Sequence, residues 1–202
     1  MWTTVQTRLA EVVELGGPVV ALLLAISVLS LAVITFKLWH FAISGVGRHA
    51  VILRALAHVD NGQMNKALAE LSKSRNMIAP LLTSALAGTA GRGRIEAEAS
   101  GALDHLSSGF RILETIAQTS PLLGLFGTVL GMINAFRAVQ AAGSSVDPSL
   151  LAGGIWVALM TTAAGLAVAM PTSVLLTYLE SRVEKDRAMA DLALETVFER
   201  RA

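Results

Sequence analysis

No charged residue lies between Glu114 and Arg137. That interval contains the run Ser120-Pro-Leu-Leu-Gly-Leu-Phe-Gly-Thr-Val-Leu-Gly-Met-Ile-Asn-Ala-Phe136. Wound as a helix at about 100° per residue, the run separates into two unlike faces. Ser120, Gly124, Gly127, Thr128, Gly131, Asn134 and Ala135 gather on one side, and Leu122, Phe126, Val129, Leu130, Ile133 and Phe136 fill the other. A soluble helix would set charge opposite its apolar stripe; this one sets only small and weakly polar residues there. Such a helix belongs in a membrane, with lipid or bulky packing behind and a close neighbour or a narrow wet path in front. The glycines are explained by close backbone approach alone. Thr128 leaves two uses open, because its hydroxyl bonds either its own helix or water and ions.

Two further uncharged runs repeat the theme. Pro18 to Phe36 is closed by Lys37, and Ser149 to Leu179 is closed by Glu180. Each is long enough to cross about 30 Å of hydrocarbon. Composition agrees: 53% of the 202 residues are hydrophobic and 15% are charged, with a mean hydropathy of +0.61. That argues against a soluble enzyme. A net charge of +1 gives no global pull towards nucleic acid, and without cysteine there is no disulfide or thiol chemistry.

In order, residues 1–15 read as an amphipathic segment outside the membrane and 16–39 as the first transmembrane helix. Lys37 and Trp39 suit its interface, the lysine as a snorkelling cation. Residues 40–113 alternate cations with acids and form helices of ordinary amphipathic period, with turn signals at Asp60-Asn61-Gly62 and Gly91-Arg92-Gly93. The apolar period from Ile95 runs without a breaker into the second span at 114–141. This predicts one helix over 95–141, about 70 Å long at 1.5 Å per residue. Residues 142–148 form a loop, 149–179 the third span and 180–202 an amphipathic tail. On the third span Gly154, Ala158, Thr161, Gly165, Val168, Ala169 and Thr172 make the small side, and Tyr178 marks its far interface. The expected fold is an all-α integral membrane protein with three transmembrane helices. The second and third are long and extend into a cytoplasmic helical bundle.

Of the 16 lysines and arginines, all but Arg8, Arg137 and Lys37, which closes the first span's uncharged run, fall in the segment between the first two spans or in the tail. The positive-inside rule therefore puts the N-terminus outside and the large segment and C-terminus in the cytoplasm.

The chemistry is sparse. His40, His49 and His58 are spread around a helix and His105 is isolated, so solvated or interfacial histidines are expected, with no metal site. No nucleophile set, phosphate-cradling loop or DNA-binding stripe is present. Apart from Glu114 and Arg137 near the ends of span two, spans two and three hold no carboxylate, lysine, arginine or histidine, and their deep polar groups are the hydroxyls of Thr128, Thr161 and Thr162. Proton transfer across a bilayer needs an ionisable group at depth, and a hydroxyl stores no proton near neutral pH. If ions cross here, another chain supplies the acid. The alternative is that these threonines only glue helices together.

The run from Ser120 to Phe136 resembles the second-span motif of the MotA/TolQ/ExbB proton-channel family. Gly153-Gly-Ile-Trp-Val-Ala-Leu-Met-Thr-Thr-Ala-Ala-Gly-Leu-Ala-Val-Ala-Met-Pro171 resembles its third-span motif. Three spans and one large cytoplasmic segment look like the ExbB and TolQ branches, ExbB most, rather than the four-span MotA branch. The resemblance implies a pentamer in the bacterial inner membrane, surrounding the helices of an ExbD-like dimer whose aspartates take up protons. The work would pass through a TonB-like protein to outer-membrane transporters. The resemblance also implies protons as the coupling ion, with no other cofactor. Thr128 and Thr162 match the family's pore-lining threonines, and Thr161 beside them is expected to line the pore as well. Pro121 matches the proline that opens the motif, and Lys37 a lysine common at the end of the first span. Pro121, Gly124, Gly127, Gly131, Gly154, Ala158 and Gly165 are the expected helix-packing positions. Val157 departs from the family pattern, which commonly has glutamate there. Two other functions share these features: a TolQ-like subunit for envelope constriction or gliding, and a passive membrane scaffold.

Overall fold

The computed structural model describes residues 2–142 and 148–200, with side chains from residue 17 onward except at residue 150. The expected amphipathic character of residues 1–15 and most of the 142–148 loop lie outside the described residues. The helices are α1 (Trp2–Ser44), α2 (Ala50–Asp60), α3 (Met64–Leu71), α4 (Ala79–Ala87), α5 (Arg92–Ser107), α6 (Phe110–Ala142) and α7 (Pro148–Glu199). Among the described residues there is no strand. Helix α1 is interrupted once, at Gly17 (φ 68°, ψ −167°), and Pro18 restarts it. Proline suits a first helical position because the N–H it lacks would have no partner there. Helices long and apolar enough to cross a membrane lie within Gly17–Ser44, Arg92–Ala142 and Leu151–Glu199.

The predicted single helix over 95–141 is two helices. Ser108 is extended (φ −54°, ψ 136°) and Gly109 is left-handed at φ 84°, so α5 stops and α6 starts anew. The apolar period hides this break because Leu106 and Phe110, on either side of it, are both buried. Only the glycine reveals it, since a left-handed residue costs glycine little and other residues more. The second turn signal is also displaced. Gly88, left-handed at φ 68°, ends α4, whereas Arg92 and Gly93 already belong to α5. The Asn61-Gly62 turn follows α2 as expected.

The chain divides into two compact units. The described residues up to Ile34, with Arg111–Leu176, form the first. Many of its large side chains face outward, and small ones fill much of its interior beside a few buried large residues such as Leu23 and Leu113. Leu122, Phe126, Phe136, Leu159, Met170 and Val174 are each more than half exposed, while Ser120, Ala135, Ala158, Thr161, Ala169 and Thr172 are buried. In water each such exposed side chain forgoes about 1.5–3 kcal/mol of burial; against lipid tails the loss vanishes. This is a unit made for hydrocarbon, and the protein is a membrane protein.

The second unit, Thr35–Phe110 with the described residues from Thr177 on, follows the opposite rule. Ile52, Val59, Leu82, Ile95, Leu106, Leu179 and Val197 are almost wholly buried. Most charges lie outside, some of them paired along one helix as in Arg92–Glu96 (2.6 Å) and Arg94–Glu98 (2.8 Å). Exposed pairs of that kind contribute little because water screens them, so the apolar core dominates this unit's stability. The turn after α1 is pinned by buried polar groups. The Asn76 amide donates to Gly45 O (3.3 Å), and the Gly47 N–H donates to both carboxylate oxygens of Asp186 (3.1 Å).

Candidate functional site

The small face of α6 meets the small face of α7 as an antiparallel pair, and four contacts fix the register. A Cβ at Gly165 would stand 2.6 Å from Ser120 O, and one at Gly124 would stand 2.8 Å from Thr161 O. A Cβ at Gly131 would stand 3.2 Å from the Ala158 nitrogen, and one at Gly154 would overlap the Ala135 methyl. The two backbones approach as closely as they do because these positions carry no side chain. Helix α6 continues through Pro121, which has no N–H to offer the Ala117 carbonyl. Next to it the Ser120 hydroxyl donates to Ile116 O (2.7 Å).

The three threonines do not share one environment. Thr161 is 1% exposed, wedged against Gly127, and its hydroxyl donates to Ala158 O (2.7 Å). Thr128 donates to Leu125 O (2.6 Å) and stays partly exposed, as does Thr162. Gly127 and Thr161 face each other across the seam. Thr128 and Thr162 each come one residue later, so each turns about 100° from that contact. In an antiparallel pair this brings both to the same flank. Val157 is five residues before Thr162, about 140° around the helix, and so falls on the opposite flank. Asn134, expected on the small face, is exposed, one residue short of the buried Ala135.

One polar contact fastens α1 to α7 inside the first unit. Thr172 donates to Val168 O (2.8 Å) and accepts from the Ser30 hydroxyl (2.7 Å), both residues being buried. Hydrogen bonds of this type in membranes are worth about 0.6 kcal/mol on average, so close packing holds the unit together more than they do.

Lys37 differs from the expected snorkelling cation. It is 3% exposed, and its ammonium donates to Leu106 O and to the Ser108 hydroxyl, both at 3.1 Å. These are the terminal groups of α5, where a helix leaves carbonyls without donors and favours a cation. Two histidines also depart from the solvated expectation. His49 bonds the fully buried Asp186, and His40 packs edge-on to His105 with ring centroids 6.0 Å apart. Sequence reasoning missed the Asp186 contacts because Gly47 and His49 are 139 and 137 residues away. Among the described residues no group of three or more histidines and acids is placed to hold a metal.

Residues 90–191, which include all of α5 and α6 and most of α7, match the profile of the MotA/TolQ/ExbB proton channel family. The chain belongs to this family. It is 52% identical over 67 residues to the biopolymer transport protein exbB1 of Vibrio cholerae, covering 33% of this chain and 29% of that protein. It is 30% identical over 182 residues to a putative ExbB homolog of Methanothermobacter thermautotrophicus, covering 87% and 64%. It is 33% identical over 177 residues to the ExbB-like protein 1 of Synechocystis, covering 84% and 70%. The first two of these relatives are thus matched over less than two thirds of their own length. In this ExbB-like chain the matched residues contain the whole α6–α7 seam with Thr128, Thr161 and Thr162, whereas Ser30, Lys37 and His49 lie before them.

Proposed function

We propose that this chain is an ExbB-like channel subunit of a proton-driven motor in the bacterial inner membrane, with its N-terminus periplasmic and its C-terminus cytoplasmic. Five copies surround an ExbD-like dimer, and the complex drives a TonB-like protein. The flank of the α6–α7 pair that carries Thr128 and Thr162 faces the pore. Thr161 packs the seam behind it. The observation that carries this reading is an asymmetry of polarity. Two hydroxyls remain accessible on one flank, Thr162 without a hydrogen-bond partner among the described residues, in a stretch of both helices that has no ionisable group. Hydroxyls hold water and solvate a partner's carboxylate, and the proton itself rides on the partner.

The test is proton flux into vesicles holding this chain with its ExbD-like partner, against vesicles holding this chain alone. Flux is expected only with the partner, and its loss on Thr162→Val is expected with assembly intact. Selective proton conduction by this chain alone would overturn the division of roles. A TolQ-like assignment uses the same channel for a different load, and the gene next door, TonB-like or not, separates the two.

A further inference from the structure

At the point where the charge-free runs of α1 and α7 give way to cations, the second unit holds a cavity of about 230 Å³. Leu38, Phe41 and Val46 supply apolar wall, and Arg48, Tyr178 and Arg182 supply the polar part. Arg182 is held in place: its Nε and one terminal nitrogen donate to the Tyr178 hydroxyl at 3.1 and 2.8 Å. Its guanidinium also lies 5.1 Å from that ring's centroid. Its other terminal nitrogen fills the space a Cβ at Gly47 would need, 2.7 Å from it. Having accepted two hydrogen bonds, the Tyr178 oxygen keeps its own O–H to donate.

Neither arginine is neutralised. Among the described residues no carboxylate lies within ion-pair distance of Arg48 or Arg182. Asp186, one turn beyond Arg182, is fully buried and spent on Gly47 and His49. Two uncompensated cations beside apolar wall select an anion with an apolar body. The volume narrows the choice, because drug-sized ligands occupy about 300–1,000 Å³ and this cavity takes a single headgroup. Its level narrows it again. Tyr178 stands where the uncharged run of α7 ends, and Trp39, 64% exposed, stands where that of α1 ends. Aromatic residues in such places mark the headgroup layer, and basic pockets between spans hold anionic headgroups there.

We propose that this cavity binds the headgroup of one anionic phospholipid, its phosphate on Arg48 and Arg182 and accepting from the Tyr178 hydroxyl, its glycerol against Phe41 and Val46. The inference rests on membrane insertion alone and is independent of proton transport.

Native mass spectrometry of the full chain in mild detergent tests it, with phosphatidylglycerol, phosphatidylcholine and inorganic phosphate as probes. One phosphatidylglycerol is expected to stay bound per chain, about tenfold less in the Arg48→Gln/Arg182→Gln double variant and unchanged in Arg200→Gln. Equal retention by the double variant would overturn the site. Displacement of the lipid by an equal concentration of inorganic phosphate would overturn the lipid assignment. Should the double variant lose helical circular dichroism, the unmodified protein decides: preference for phosphatidylglycerol over phosphatidylcholine supports the proposal, and equal retention of both refutes it.

Discussion

A Cβ placed on Gly127 would stand 2.6 Å from the Cβ of Thr161 and 2.7 Å from its hydroxyl oxygen. Thr161 therefore owes its position to a missing side chain on the opposite helix. Its polar atom is turned back onto its own carbonyl at Ala158. The neighbouring Thr162 is held by the same backbone and, among the described residues, its hydroxyl has no hydrogen-bond partner. Two adjacent threonines thus acquire different uses from the register of a single seam.

That register makes a direct test possible with neighbouring glycines. A Cβ at Gly153 meets nothing within 4 Å, whereas one at Gly154 overlaps Ala135. Gly154→Val is expected to lower the melting temperature of the detergent-purified protein, at an overpacking cost of about 1–3 kcal/mol. Gly153→Ala is expected to leave it unchanged. Gly131→Leu, facing Ala158 across the seam, is expected to disrupt assembly more than any threonine change. Size-exclusion chromatography of that variant is the check, and a normal elution profile would refute the packing assignment.

Thr162→Val and Thr161→Val separate the two roles. Both substitutions keep the shape and remove a hydroxyl. Proton-driven flux of the reconstituted complex is expected to fall at least tenfold for Thr162→Val, which is about 1.4 kcal/mol on the barrier. Thr161→Val, which only breaks a bond within its own helix, is expected to hold flux within about twofold. The reverse order would move the pore face to the seam.

Val157→Glu asks whether a carboxylate at that position joins the path. Its flank is about 140° from Thr162 on α7, so the new acid would not meet the same water. Flux is expected to change only modestly, with protein yield reduced by the charge's desolvation. A large gain in flux would mean that both flanks of α7 line the route.

Asp186 carries the turn after α1 through Gly47 and His49. Asp186→Ala is expected to destabilise the protein by about 1–3 kcal/mol, the cost of leaving the Gly47 N–H and His49 without their partner. The reading is a lowered thermal midpoint in detergent. Lys37→Met strips the cation from the end of α5 and is expected to cost about 1–3 kcal/mol by leaving a buried carbonyl without its donor. A midpoint unchanged in both variants would show that these contacts contribute nothing to stability.

Much of the first unit was legible beforehand because lipid imposes a one-dimensional rule. A span needs about twenty uncharged residues, and its packing face needs small ones at helical period; both are properties of consecutive residues. The helix break was legible only in part. Gly109 was visible as a glycine, but the unbroken apolar period around it outweighed that signal. The surroundings of His49 and Lys37 were not legible because their partners, Asp186 at 137 residues from His49 and Leu106 at 69 from Lys37, are remote in the chain.

By itself the sequence determined that this chain spans a membrane, which helix faces are small and that no ionisable group lies deep in the second and third spans. Those properties follow from residue type and period alone. Only the tertiary structure decided which of the three threonines is packed and which flank stays open, and that Arg48 and Arg182 border one cavity. Each of those depends on the relative register and rotation of helices that meet only when folded, and side-chain identity along one strand of text carries no record of either.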